Sequence, residues 1–187
     1  MTPNGHETSY KHVIGITSLW LLYPLLTHTH THTLKTLAWI WILMCSIVSY
    51  LMWKDYDKSS VLYTLDIYFA RGTFVWLLFI NTYAKCMFPA SVATMYLVTC
   101  TLHSYAWYEL AAWSHLMFRF IGLWWTYMAF NNTVTCKQFC GISFVYWVHI
   151  AYFMCNSWHS IDYTIATCKL LALIVYCIWL TPRVNFI

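Results

Sequence analysis

Charge is what this sequence has least of. Acidic and basic residues make up 9% of its 187 positions, against roughly 25% in an ordinary soluble domain, while 61% are hydrophobic and 20% aromatic. Water is therefore not the main solvent of this chain. The net charge of +4 is spread along the sequence without a basic cluster, which argues against a nucleic-acid partner. There is no small-residue cleavage site after the first apolar stretch, which follows a polar segment containing Glu7 and ends in LLTHTHTHTL. Val13 to Leu26 is thus expected to be a retained span and not a signal peptide. No internal repeat and no pair of interrupted apolar segments is present, which counts against a transporter.

A disulfide framework is also missing. Of eight cysteines, Cys45, Cys100, Cys155, Cys168 and Cys177 lie inside apolar runs, where a thiol behaves as a small hydrophobe. Cys136 and Cys140, in CKQFC, flank a loop and could pair or bind metal, but a zinc site of the usual spacing would need a second such pair.

What is present is a series of apolar stretches of spanning length between His12 and Leu180, separated by short polar clusters. This pattern predicts an all-α, polytopic integral membrane helical bundle. The expected spans are 12–26, 37–53, 61–80, 87–102, 105–130, 139–154 and 163–180. That makes seven; five or six remain compatible, because the first and sixth are short. A single domain covers 1–187, with a polar tail (1–11), a Thr/His-rich linker (27–35) and a short final tail (182–187). Membrane lipids, and other membrane subunits, are the partners such a chain implies. Lysine and arginine divide evenly between the two faces, so the positive-inside rule does not orient it.

The linker THTHTHT places His28, His30 and His32 two residues apart. On a helix these imidazoles would diverge; on an extended segment they would share one face and could hold a metal at the membrane surface. The competing reading is a solvated Thr/His connector, since no residues that would orient the rings are identifiable.

The chemistry-bearing residues inside the spans stand out more. Asp66 and Arg71 lie in span three, Glu109, His115 and Arg119 in span five, and His149 in span six. An unpaired charge near the bilayer centre costs at least about 2.5 to 3.5 kcal/mol, so each needs a reason. Five residues of helix separate Asp66 from Arg71 by about 140°, so they are not expected to pair with each other. His115 and Arg119, four apart, share a face, and either could meet Asp66 across helices. Arg71, Glu109, Arg119 and His149 are therefore expected to form a structural polar clamp that selects which helices pack. In the alternative reading, Asp66 and His115 bind a metal or move a proton.

Two stretches carry a resemblance. Trp53 to Arg71 reads W-x4-K-x-S-x5-D-x3-A-R, and His115 to Trp125 reads H-x2-F-R-F-x-G-x-W-W. Both resemble a group of uncharacterised multi-pass membrane proteins of large DNA viruses and unicellular eukaryotes, over about a third of the chain. More distantly, the order of Ser49 and then Asp66 on the next span is similar to the seven-span CREST superfamily of alkaline ceramidases and adiponectin receptors. In that pattern, Ser-x3-His, an Asp and His-x3-His surround a zinc ion, and zinc lowers the pKa of its bound water to about 7 for attack on a lipid amide. The resemblance implies catalytic roles for Ser49, Asp66 and His115. Here, however, Trp53 stands where the pattern has its first histidine, and tryptophan cannot ligate zinc. His115 is matched by Ala111, and Cys155 by His159, so each His-x3-His equivalent is half present. Two protein ligands are left where a catalytic zinc takes three. The resulting expectation is a CREST-like protein whose polar intramembrane site contacts lipid or protein without zinc hydrolysis. The alternatives are a zinc-dependent lipid amide hydrolase and a structural subunit of a membrane complex or virion membrane.

Overall fold

A computed structural model describes residues 11–27, 33–55, 57–80, 87–131, 135–155 and 163–180. The described residues form seven helices and no strand: α1 (Lys11–Leu26), α2 (Thr33–Asp55), α3 (Val61–Ile80), α4 (Met87–Ser104), α5 (Tyr108–Asn131), α6 (Cys136–Cys155) and α7 (Tyr163–Leu180). Each coincides with one apolar stretch of the sequence, and the chain is all-α as expected. By length and hydropathy two of them, α2 over Thr33–Lys54 and α3, are apolar enough to cross a membrane.

α1 is the hub. Val13 through Trp20 are buried without interruption, as are Tyr23, Pro24 and Leu25. A helix apolar on every face has to be enclosed, and α1 packs against α2, α5, α6 and α7. Its sixteen residues would reach only about 24 Å, so its shortness is tolerated because protein surrounds it. A 3-10 turn at Leu19–Leu21 interrupts it. Just before that turn, the Thr17 and Ser18 side chains bond back to the Ile14 and Gly15 carbonyls, a habit of Ser and Thr that loosens helical geometry. Other helices use the carbonyls of this segment: Ser46 Oγ of α2 donates to Ser18 O at 2.8 Å.

Two hairpins flank this hub. Between α2 and α3, Asp57 Oδ1 accepts from the Ser59 hydroxyl (2.7 Å) and amide (2.9 Å), and these bonds hold the exposed Asp57 carboxyl below its usual pKa. Ser60 then caps α3 by accepting from the Tyr63 amide, which gives the serine of the W-x4-K-x-S stretch a structural role. Between α4 and α5, Trp107 N–H reaches Leu102 O and Ala106 N–H reaches His103 O, with Ala106 at φ 60°. This is a Schellman ending with alanine where glycine is usual. Thr99 and Ser114 join the same two helices at 2.8 Å. On the far side of α1, Trp20 Nε1 donates to His149 Nδ1 (3.1 Å) and Tyr146 OH to Leu116 O (3.1 Å), tying α6 to α1 and α5.

The surface carries large apolar side chains on every helix from α2 to α7, among them Phe79 (75% exposed), Phe144 (70%) and Val175 (62%).

α2 and α3 approach most closely at Gly72. The Trp41 indole lies over it and donates to Phe69 O at 3.1 Å, and a β-carbon at position 72 would fall inside the indole's van der Waals surface. Gly72→Ala should therefore destabilise the detergent-solubilised protein by about 1 to 3 kcal/mol, an overpacking cost. Adding Trp41→Phe should relieve part of that loss in thermal unfolding.

Candidate functional site

A cavity of about 680 Å³ lies among α1, α2, α3, α4 and α5. Its walls follow from helix direction: α1, α3 and α5 run one way, α2 and α4 the other. The end of α2 (Ser49, Trp53), the beginning of α3 (Tyr63, Asp66), the end of α4 (Cys100, His103) and the first half of α5 (His115, Arg119) thus gather at one end. That end is polar. Leu77, Val92, Leu123 and Trp125 line the other end, which is apolar.

Arg119 organises the polar end. One guanidinium nitrogen donates to the Ile14 carbonyl of α1, and the other to Ser49 Oγ of α2 at 2.9 Å. Ser49, itself buried, is in hydrogen-bonding reach of Asp66 on α3, and the Arg119 charge also acts on that carboxylate. The hydroxyl accepts from the arginine and can donate onward to the acid. The expected cross-helix partnership of Asp66 with Arg119 is thus present, with Ser49 between them. His115, one turn before Arg119, lines the same cavity and sets its ring against Trp53 (centroids 5.4 Å apart) and Phe118 (5.7 Å).

The remaining predicted residues do not share one place. Arg71 lines the cavity further along α3, on a different face from Asp66, and its charge acts on the Tyr96 hydroxyl of α4, which lines the same cavity. His149 does not line the cavity and is buried behind Trp20, which does, and Glu109 is exposed in the first turn of α5, where an acid complements the helix dipole. The four residues of the expected clamp thus act at separate places, and of them Arg119 joins the most helices. Arg71 and His149 each make a separate interhelical contact, and Glu109 serves the helix end. His28, His30, His32 and His159 lie outside the described residues, as does the side chain of Cys155. Cys136 and Cys140 bring their sulfurs to 4.0 Å in the exposed first turns of α6, away from the cavity.

Two of the ligands that the CREST resemblance names, Cys155 and His159, lie outside the described side chains. No three His, Cys, Asp or Glu side chains come together among the described residues. The indole of Trp53 rests against His115, and a guanidinium already holds Ser49 and acts on Asp66. A metal there would meet a fixed positive charge.

Three participants escaped sequence reasoning. The Ile14 carbonyl is a backbone acceptor, which no search of side chains finds. Tyr96 and Trp20 carried no signal beyond being aromatic among many aromatics.

No family model, no curated protein and no solved structure matches this chain.

The Arg119 node makes a quantitative prediction. Removing one member of a buried charge pair leaves the other uncompensated, so Arg119→Gln should cost about 3 kcal/mol. Asp66→Asn should cost less in the Arg119→Gln background than in the native protein. Additive losses in unfolding of the four proteins of this cycle would show that the two groups do not interact.

Proposed function

We propose that this chain is a multi-pass membrane protein whose interior cavity binds a lipid without hydrolysing it through zinc. The observation that carries the reading is the mixed lining of the cavity, which has Ser49, Asp66, Arg71, Tyr96 and Arg119 as its polar part and Leu77, Val92 and Trp125 in its apolar part. A headgroup and an acyl chain need those two surroundings in that order. The volume of about 680 Å³ falls within the roughly 300 to 1,000 Å³ typical of ligand sites.

Insertion of all seven helices is supported by their outward faces. Large apolar side chains project from α2 through α7, far beyond what the surface of a soluble monomer carries in one patch. Tyr and His occur in each of α4, α5 and α6, with Thr in α4 and α5 and Trp in α5 and α6, and these depress hydropathy. Several of these, including Trp125, Thr126 and Tyr146, are turned inward.

In this reading the CREST resemblance is one of ancestry with a changed charge. Ser49 and Asp66, which the pattern assigns to supporting a metal-bound water, are both engaged by Arg119. A fixed cation has the electrostatic part of the metal's role and none of its Lewis acidity. Such a node holds the helices around the cavity; it has no means of activating water at neutral pH by metal coordination.

Protein purified in mild detergent should carry lipid through size exclusion, detectable by mass spectrometry of an organic extract. Val92→Trp, which fills the apolar end, should abolish the lipid while leaving the elution volume unchanged. Stoichiometric zinc with amidase turnover would instead establish the hydrolase. Stable co-purifying subunits with no lipid would establish the structural role. Single-site tags at Ser59 and Tyr105 should be accessible from one side of the membrane, and a tag at Thr135 from the other.

A further inference from the structure

The ionisable residues at the cavity do not balance. Arg71 and Arg119 both sit near the midpoints of their helices, and the interior of α3 and α5 contains one acid, Asp66. Glu109 is at an exposed helix start; Asp57, in the α2–α3 turn, is occupied by Ser59. Asp66 is engaged by Ser49 and the Arg119 charge. Arg71, on another face of α3, lines the cavity together with Tyr96 of α4, a neutral hydroxyl that cannot cancel a charge.

Position adds a second constraint. Ala70 and Arg71 of α3 and Tyr96 and Cys100 of α4 line the cavity and are exposed, and α3 and α4 do not pack closely against each other. The cavity therefore opens sideways between α3 and α4, at a depth where the surroundings are acyl chains in the reading above.

We propose that the occupant is an anionic amphiphile, its carboxylate or phosphate held by the Arg71 guanidinium and the Tyr96 hydroxyl, admitted from the bilayer between α3 and α4. The inference rests on the lipid-binding reading and names the class of lipid. A guanidinium offers paired donors that match either anion, and Tyr96 supplies another across the opening. The chain then lies along Phe74, Leu77 and Trp125. A neutral headgroup would leave Arg71 uncompensated in a low-dielectric setting, and a zwitterion would bring a second cation beside it; both are disfavoured.

The test uses full-length protein in neutral detergent, with 9,10-dibromostearate and its methyl ester as tryptophan quenchers; Trp20, Trp53 and Trp125 line the cavity. Saturable quenching should favour the acid by about tenfold in apparent affinity, equivalent to 1.4 kcal/mol. Arg71→Gln should remove that preference by weakening the acid alone, and Arg71→Lys should keep it. Monododecyl phosphate should displace the acid if the site reads negative charge in general; displacement by laurate alone confines the same proposal to carboxylates. Equal saturation by acid and ester in the native protein would overturn the anionic assignment while leaving a lipid cavity in place. No saturable quenching by either would remove the cavity reading as well.

Discussion

The Arg119 guanidinium is the contact on which the rest of the arrangement depends. From α5 it reaches the Ile14 carbonyl of α1 and the Ser49 hydroxyl of α2, and its charge acts on Asp66 of α3. Four helices meet at one side chain. A charge in an apolar interior is costly unless its donors are used, and here the cost becomes specificity, because few other packings of these helices would satisfy the arginine. The carbonyl it uses lies just ahead of the 3-10 turn of α1, in a segment where Thr17 and Ser18 bond to the backbone. The irregularity of α1 and the placement of Arg119 are thus one feature seen from two helices.

The cavity follows from the same node. Arg119 draws α1, α2, α3 and α5 together at one level, and the Trp41 and Gly72 contact locks α2 to α3 further along. α4 is attached to α5 through Thr99 and Ser114 and through the turn at Ala106. α3 and α4 are thereby held by different neighbours. The space between them is what the proposed lipid fills, and Arg71 and Tyr96 line it from α3 and α4. Trp53 adds a steric statement: with its ring against His115, the volume that would suit a ligated ion holds an indole.

Much of the fold could be read from the sequence, because apolar runs punctuated by KDYDKSS, NNTVTCKQ and similar clusters locate helices whatever their packing. Helical spacing also separated Asp66 from Arg71, and the need for a cross-helix partner pointed from Asp66 to Arg119 or His115, of which Arg119 acts on the carboxylate. Less of the site was legible. Glu109, His149 and Arg71 looked equivalent to Arg119 as in-span polar residues, yet only the packing of α1 at the centre of the bundle decides which of them face the same space. His149 lies behind Trp20 of α1, a short helix whose central position follows from its all-round apolarity but not from its order in the chain. Backbone acceptors such as Ile14 O have no sequence signature.

The account is tested most directly by a density map of the full chain in a lipid nanodisc, at a resolution that shows side chains. It predicts continuous density from Arg119 to the Ile14 carbonyl and to Ser49, and an elongated non-protein feature running from the Arg71 and Tyr96 opening toward Trp125. An Arg119 side chain directed away from α1, or a cavity closed by side chains from α3 and α4, would contradict it.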